Sequence, residues 1–165
     1  MYTVDINGSI PSKEFYNCDS LTSVMIGNSV TSIGNDAFRY CEKLVNVIIP
    51  DSVTSIGNSA FSNCSCITDV TIPDSVTSIG DGAVYDCVGL SYITIGKSVT
   101  SIDNRAFANC FSVVSFSVSS ESVNFAETDG VLVSFNLSML VAFRGGRRGA
   151  YTIPDTITVI GDYAV

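Results

Sequence analysis

Short segments of alternating apolar and polar residues recur along the chain at a constant spacing. Residues 30–34 read V-T-S-I-G, the same five residues return at 53–57 and 76–80, and 99–103 reads V-T-S-I-D. Each step is 23 residues long. Residues at equivalent positions of successive units are here called a row. Two further rows keep this spacing: one contains Phe15, Phe38, Phe61, Val84 and Phe107, and the other contains Cys18, Cys41, Cys64, Cys87 and Cys110. A fixed period of this length indicates a stack of repeating units.

The pattern inside one unit predicts its local structure. The segment Leu44-Val-Asn-Val-Ile-Ile49 ends in alternation, which predicts a short strand with Asn46 and Ile48 on one side and Val47 and Ile49 on the other. Residues 36–41 are too few for a free helix, and we expect one helical or 3₁₀ turn there. Each unit has an apolar face that only the next unit can cover. This favours stacked coils with a parallel sheet.

The unit reads V-T-S-I-G-x-x-A-F-x-x-C-x-x-L-x-x-V-x-I-[PG]-x-S and resembles the BspA-like leucine-rich repeat family over nearly the whole chain. The resemblance implies an α/β fold, a right-handed leucine-rich repeat solenoid with a parallel β-sheet on one face and short helical or 3₁₀ turns on the other. It also implies a segment of a larger bacterial or protist surface or secreted protein that takes part in adhesion. The family supplies no catalytic residues.

We predict a single domain, 1–165, of about five to seven coils at the 23-residue step. The repeats are 1–26, 27–49, 50–72, 73–95 and 96–118, followed by an irregular insertion at 119–150 and a partial repeat at 151–165. Residues 129–143 read as a β-hairpin that turns near Asn136. The first coil lacks the repeat signature, as a cap or a cut repeat would. The chain stops midway through a unit, which favours a fragment of a longer protein or an edge that pairs with another.

Charge and composition narrow the function classes. Sixteen acidic residues against eight basic ones give a net charge of -8, which opposes binding to nucleic acid. Histidine is absent, which removes Ser–His and Cys–His nucleophile pairs and histidine metal sites. No apolar run is long enough to span a membrane, and the first residues do not resemble a signal peptide. We therefore expect no enzyme activity, cofactor, metal or membrane insertion, and either a cytosolic protein or one whose leader lies outside this sequence.

The cysteine row is interpreted as part of the core. Stacked coils lie about 5 Å apart, within reach of a disulfide, yet five parallel side chains cannot all pair. A straight row also lacks the convergent four ligands of a zinc site. Small buried thiols that act as weak donors are the favoured interpretation. Cys66 lies outside this row, and the sequence leaves its exposure open.

The outward strand positions form the candidate partner-binding surface. Solenoids bind through such extended faces, and Tyr92 is the expected anchor. The candidates on the strands are Ser23, Met25, Asn46, Ile48, Asp69, Thr71, Tyr92 and Thr94. The basic loop adds Arg144, Arg147 and Arg148, which could bind a carboxylate or phosphate at the rim or could simply be solvated.

Two carboxylate arrangements are candidates for metal binding or for hydrolysis. Asp51 and Asp74 share a row in which a Ca²⁺ ion would need six to eight oxygen ligands, and Lys97 in the same row opposes that interpretation. Hydrolysis by a pair of carboxylic acids would need a second acid beside Asp69, and the sequence places none there. The favoured function is a non-enzymatic adhesion module that binds a host, matrix or neighbouring-cell protein, with end-to-end or edge association between chains as a further option. A structural spacer and an intracellular scaffold remain alternatives.

Overall fold

The computed structural model describes residues 2–4, 8–145 and 150–164. The chain winds into stacked coils, and each regular coil contributes one strand to each of two parallel sheets, with a run of turns between them. The first sheet, called sheet 1, contains β1 (Tyr2–Val4), β3 (Ser23–Ile26), β5 (Asn46–Ile48), β7 (Asp69–Ile72), β9 (Tyr92–Ile95) and β11 (Ser115–Val118). The second, called sheet 2, contains β2 (Gly8–Ile10), β4 (Val30–Ile33), β6 (Ser55–Ile56), β8 (Ser78–Ile79) and β10 (Ser101–Ile102).

Sheet 1 confirms the strand that the alternating pattern predicts. From β3 onward its paired strands are parallel with a register of 23 residues, so that Asp69 lies opposite Tyr92 and Tyr92 opposite Ser115. The sheet is divided into two groups of three strands, β1-β3-β5 and β11-β9-β7. The coils remain stacked across this division because the core beneath them is continuous.

Sheet 2 was not predicted from the sequence. Apart from β2, it is formed by the V-T-S-I segments, in which the valine and isoleucine are buried, except for the half-buried Ile102, while the threonine is exposed. The threonine row is bonded from coil to coil: the Thr54 hydroxyl donates to the Thr31 carbonyl at 3.1 Å, and the Thr54 amide donates to the same oxygen at 2.8 Å. Thr77 and Thr100 repeat this pattern. These hydrogen bonds account for the recurrence of an exposed threonine in every regular coil.

The expected helical or 3₁₀ turns are wrong, since the described residues contain no helix. The segment from residue 36 to 41 is a series of tight turns in which successive amides alternate between two kinds of partner. The Asp36 and Phe38 amides donate to carbonyls of the next coil, whereas the Ala37 and Arg39 amides donate within their own coil. Asp36 and Tyr40 have φ of 55° and 63°, which lies outside any right-handed helix. Bonding between coils therefore replaces the helical pattern.

The core lies between the two sheets and the turns. Phe38 and Phe61 are fully buried, and their rings stack with centroids 5.2 Å apart. Phe15 stacks on the other side of Phe38 at 5.0 Å. The row of Phe15, Phe38 and Phe61 is therefore part of the core packing and is interrupted at Val84, which is also buried.

The insertion confirms the predicted hairpin and extends it. With the partial repeat it forms a four-stranded sheet, here called the terminal sheet, of β12 (Phe125–Thr128), β13 (Val131–Ser134), β14 (Met139–Phe143) and β15 (Val159–Ile160), in that order. The turn between β13 and β14 is centred on Asn136, whose side-chain oxygen accepts hydrogen bonds from Ser134 and Ser138. Strand β14 pairs antiparallel with β13 but in parallel with β15, so it returns the chain to the solenoid pattern.

Candidate functional site

The outward side chains of β3, β5, β7, β9 and β11 form one surface, here called the sheet 1 face. Parallel pairing arranges them in two rows along the solenoid. One row contains Ser23, Asn46, Asp69, Tyr92 and Ser115, and the other contains Met25, Ile48, Thr71, Thr94 and Ser117. The structure therefore brings together all eight strand residues predicted from the sequence. Ser23, Met25 and Thr94 are half-buried and the other five are exposed.

Two large apolar side chains are the most prominent features of this face. Ile48 is 54% exposed and Tyr92 is 55% exposed, on coils two steps apart. Asp69 lies on the coil between them and accepts a hydrogen bond of 2.7 Å from the Thr68 hydroxyl. This arrangement supplies apolar contact area with an oriented carboxylate between the two anchors.

The sheet 1 face is interrupted between β5 and β7. No backbone hydrogen bond joins these two strands in the described chain, although each pairs with its other neighbour. Val47 is half-buried at this position, whereas Val24 and Val70 in the same row are 0% and 1% exposed. The interruption therefore leaves the facing edges of β5 and β7 without sheet hydrogen bonds to each other, and it leaves Val47 half-buried beside Ile48. A partner could supply hydrogen bonds at these edges.

The sequence interpretation missed a second group of exposed apolar residues, at the corner where the turns lead into sheet 1. Val88, Phe111 and Val114 are 43%, 66% and 49% exposed. Val114 immediately precedes β11, and its amide donates to the Ser91 carbonyl at 2.9 Å. For Val88 and Phe111 the available signal was their place in a row that is polar in earlier coils, where it contains Asp19, Glu42 and Ser65.

The two sheet faces differ in how their exposed residues vary between coils. The exposed position of sheet 2 is threonine in four successive coils, where its hydroxyl bonds the preceding coil. On the sheet 1 face the first row instead holds serine, asparagine, aspartate, tyrosine and serine. No side-chain bond between coils links this row in the described structure. Repetition on sheet 2 thus has a structural cause, and the sheet 1 face is free to vary.

The basic loop is only partly described. Arg144 is exposed, its amide donates to the Gly130 carbonyl at 3.1 Å, and its side chain lies against Gly130 in the turn between β12 and β13. Arg144 therefore lies at the hairpin and not among the strand residues of the sheet 1 face. Arg147 and Arg148 lie outside the described residues.

In the row of Asp51 and Asp74, the Asp74 carboxylate has a structural contact. Asp74 accepts a hydrogen bond of 2.9 Å from the backbone amide of Lys97 in the next coil. Among the described residues, no group of three or more Cys, Asp or Glu side chains is placed to hold a metal ion. The same part of the chain has no helix long and apolar enough to cross a membrane.

Four thiols of the cysteine row are buried, and the first, Cys18, is half-buried. The Cys64, Cys87 and Cys110 thiols each donate to a carbonyl of the preceding coil at 3.1 Å. Desolvation by burial raises the pKa of Cys41 to about 11 and that of Cys110 to about 12, and it raises the pKa of Cys64 and Cys87 as well. The predicted interpretation as buried weak donors is confirmed for these four thiols but not for Cys18. Cys66, left open by the sequence, is an exposed free thiol.

Comparison with known proteins places this geometry among bacterial repeat proteins. The family model of the BspA type leucine-rich repeat region matches residues 8–129 in six copies. A leucine-rich repeat protein from Bacteroides ovatus is 34% identical, with a TM-score of 0.63, over 70% of this chain and 33% of its own. The leucine-rich repeat protein of T. pallidum is 30% identical, with a TM-score of 0.66, over 69% of this chain and 57% of its own.

A third solved structure extends the similarity to the terminal sheet. A leucine-rich cell surface protein from Faecalibacterium prausnitzii is 27% identical, with a TM-score of 0.60, over 95% of this chain and 54% of its own. The chain thus spans between one third and just over half of the length of these three proteins. No curated protein sequence matches it.

Proposed function

Because the chain belongs to the BspA type leucine-rich repeat family, we propose that it is a non-enzymatic protein-binding module whose partner docks on the sheet 1 face. The observation that carries the proposal is the contrast between the two sheet faces. Sheet 2 repeats one hydrogen-bonded threonine, whereas the sheet 1 face varies from coil to coil and exposes Ile48 and Tyr92. A surface that varies without a structural reason to repeat suits recognition of one particular partner.

The chemistry of the face supports recognition over catalysis. Its side chains are hydroxyls, one amide, one carboxylate and three large apolar groups, and Asp69 is bonded to Thr68. Burial raises the pKa of four thiols of the cysteine row and so holds them protonated, namely Cys41, Cys64, Cys87 and Cys110. Aromatic and aliphatic anchors surrounded by short polar side chains are typical of protein interfaces.

We propose that the module acts in adhesion at a cell surface or in a secreted protein. The F. prausnitzii protein, similar over 95% of this chain, is described as a cell surface protein. The partner would then be a host, matrix or neighbouring-cell surface protein. The loop around Arg144 would form a rim beside the hairpin.

The proposal is tested by measuring binding of the chain to a panel of extracellular-matrix and host surface proteins. We expect saturable binding that Tyr92→Ala weakens by about tenfold, the effect of losing one interface anchor. Tyr163→Ala is the matched control because Tyr163 is 64% exposed and lies beside Arg105 on the turn side, away from the sheet 1 face. Equal effects of the two substitutions would overturn the sheet 1 face as the binding surface, and no binding across the panel would favour a structural spacer.

A further inference from the structure

One row of the corner that leads into sheet 1 changes from acidic to apolar residues along the solenoid axis. This outward row contains, in chain order, Asp19, Glu42, Ser65, Val88 and Phe111, all exposed except the half-buried Ser65. Coil-to-coil contact along the row is direct, since the Ser65 hydroxyl donates to the Glu42 carbonyl at 3.3 Å. The first coils therefore present carboxylates at the position where the last ones present apolar side chains.

Neighbouring residues strengthen both ends of this row. Val114 is 49% exposed beside Phe111 and Val88, and together they form what is here called the corner patch. Asp69, at the start of β7, adds a third carboxylate to the acidic end. Lys43 is the single base among the described corner and strand residues 18–25, 41–48, 64–71, 87–94 and 110–117, so negative charge predominates there.

The spacing of the two ends corresponds to a short stretch of extended chain. Stacked strands lie about 4.8 Å apart, so three coil steps from Glu42 to Phe111 cover about 14 Å. An extended peptide rises about 3.3 Å per residue and covers that distance in about four residues. A peptide lying along the corner can therefore place a base over Glu42 and an apolar side chain on the corner patch at once.

From this placement we infer that the corner binds an extended peptide segment of the partner that carries Arg or Lys about four residues from an aromatic or branched apolar residue. The acidic end selects the basic residue by charge, and Phe111, Val88 and Val114 cover the apolar one. This inference rests on the proposed protein-binding function and specifies the chemistry of the partner. The corner adjoins the sheet 1 face, so one partner can contact both.

The test is selection of short random peptides displayed on phage against the immobilised chain. We expect the enriched peptides to combine a base and a large apolar residue three to five positions apart, the spacing set by the coil distance. One enriched peptide is then synthesised, and its affinity is measured for the unaltered chain, Phe111→Ser, Glu42→Lys and Val123→Ser. Val123 is the control because it is 70% exposed and lies in the terminal insertion, away from the corner.

We expect Phe111→Ser and Glu42→Lys each to weaken the peptide by about tenfold, and Val123→Ser to leave its affinity unchanged. Raising the salt concentration should weaken it further, because exposed charges are screened. Enrichment of peptides without a base, a loss with Phe111→Ser alone, or no enrichment would each overturn the inference. Binding of a panel protein that depends on Tyr92 would still support the proposed function in those cases, so the two failures are distinguishable.

Discussion

Two residues in each regular coil have left-handed backbone, and they bend the chain on the turn side. The first row has φ values of 63° at Lys13, 55° at Asp36, 53° at Ser59, 59° at Gly82 and 59° at Arg105. The second row contains Asn17, Tyr40, Asn63, Asp86 and Asn109, with φ between 58° and 63°. Side chains carry a free-energy cost in this conformation, and glycine does not. The rows therefore predict where a glycine stabilises the fold.

Gly82→Ala should lower the free energy of unfolding by about 1 kcal/mol, because the new Cβ would be strained at φ +59°. It would also lie 3.3 Å from the Tyr85 Cβ, which is a tight contact. Urea denaturation of both forms measures the change. Ser59→Gly is the matched control in the same row and should cause no loss, so equal losses in both variants would contradict this account of the turns.

Burial of the thiols predicts a dependence of stability on alkaline pH. An unfolded cysteine ionises near pH 8.5, whereas burial raises the pKa of Cys41 to about 11 and that of Cys110 to about 12. A raised pKa contributes stability that is complete below the unfolded pKa and is lost as the pH rises towards the folded value. The free energy of unfolding should therefore fall as the pH increases above about 9.

Urea midpoints between neutral pH and about pH 10.5, taken under reducing conditions, test this dependence. Cys110→Ala should make the decline less steep by up to about 1.4 kcal/mol per pH unit, since one titrating thiol is removed. Tyrosine ionisation contributes equally to both proteins and cancels in the comparison. Identical slopes would show that the Cys110 thiol is not held protonated by its burial.

At the scale of elements, local pattern and contacts between coils specify different parts of the coil. Alternation in Leu44–Ile49 predicted the sheet 1 strand correctly, because its buried row faces one core. The V-T-S-I strand was missed because its buried valine and isoleucine are three residues apart, a spacing that does not show the period of a strand. The turn at 36–41 was assigned wrongly because its hydrogen bonds to the next coil are invisible in the local sequence.

The stacked phenylalanines should behave as one packing element whose interior members matter most. Phe61→Ala should lower the free energy of unfolding by about 3–5 kcal/mol, since the ring is fully buried against Phe38. Phe15→Ala should cost less, because Phe15 is only partly buried and stacks on one ring. Chemical denaturation of the two variants compares them, and a loss below about 1 kcal/mol for Phe61 would contradict the packing described here.

At the scale of the whole molecule, the repeat predicted the stack and the outward strand positions, because a constant period fixes which residues share a row. The sequence could not predict the interruption between β5 and β7, because it depends on how two neighbouring coils pack against each other. The corner patch was missed although the row of Val88 and Phe111 is polar in the earlier coils, which indicates an outward position. Recognition of a partner on the sheet 1 face is therefore tested most directly by a measurement of binding.

That measurement compares two double variants for binding to a partner from the matrix and surface-protein panel. Ile48→Ala with Tyr92→Ala removes the two large exposed anchors of the sheet 1 face, and Val123→Ala with Tyr163→Ala removes comparable exposed groups that lie outside that face. The account predicts a loss of affinity of about a hundredfold for the first pair and almost none for the second. Retained affinity in the first pair, with loss in the second, would contradict it.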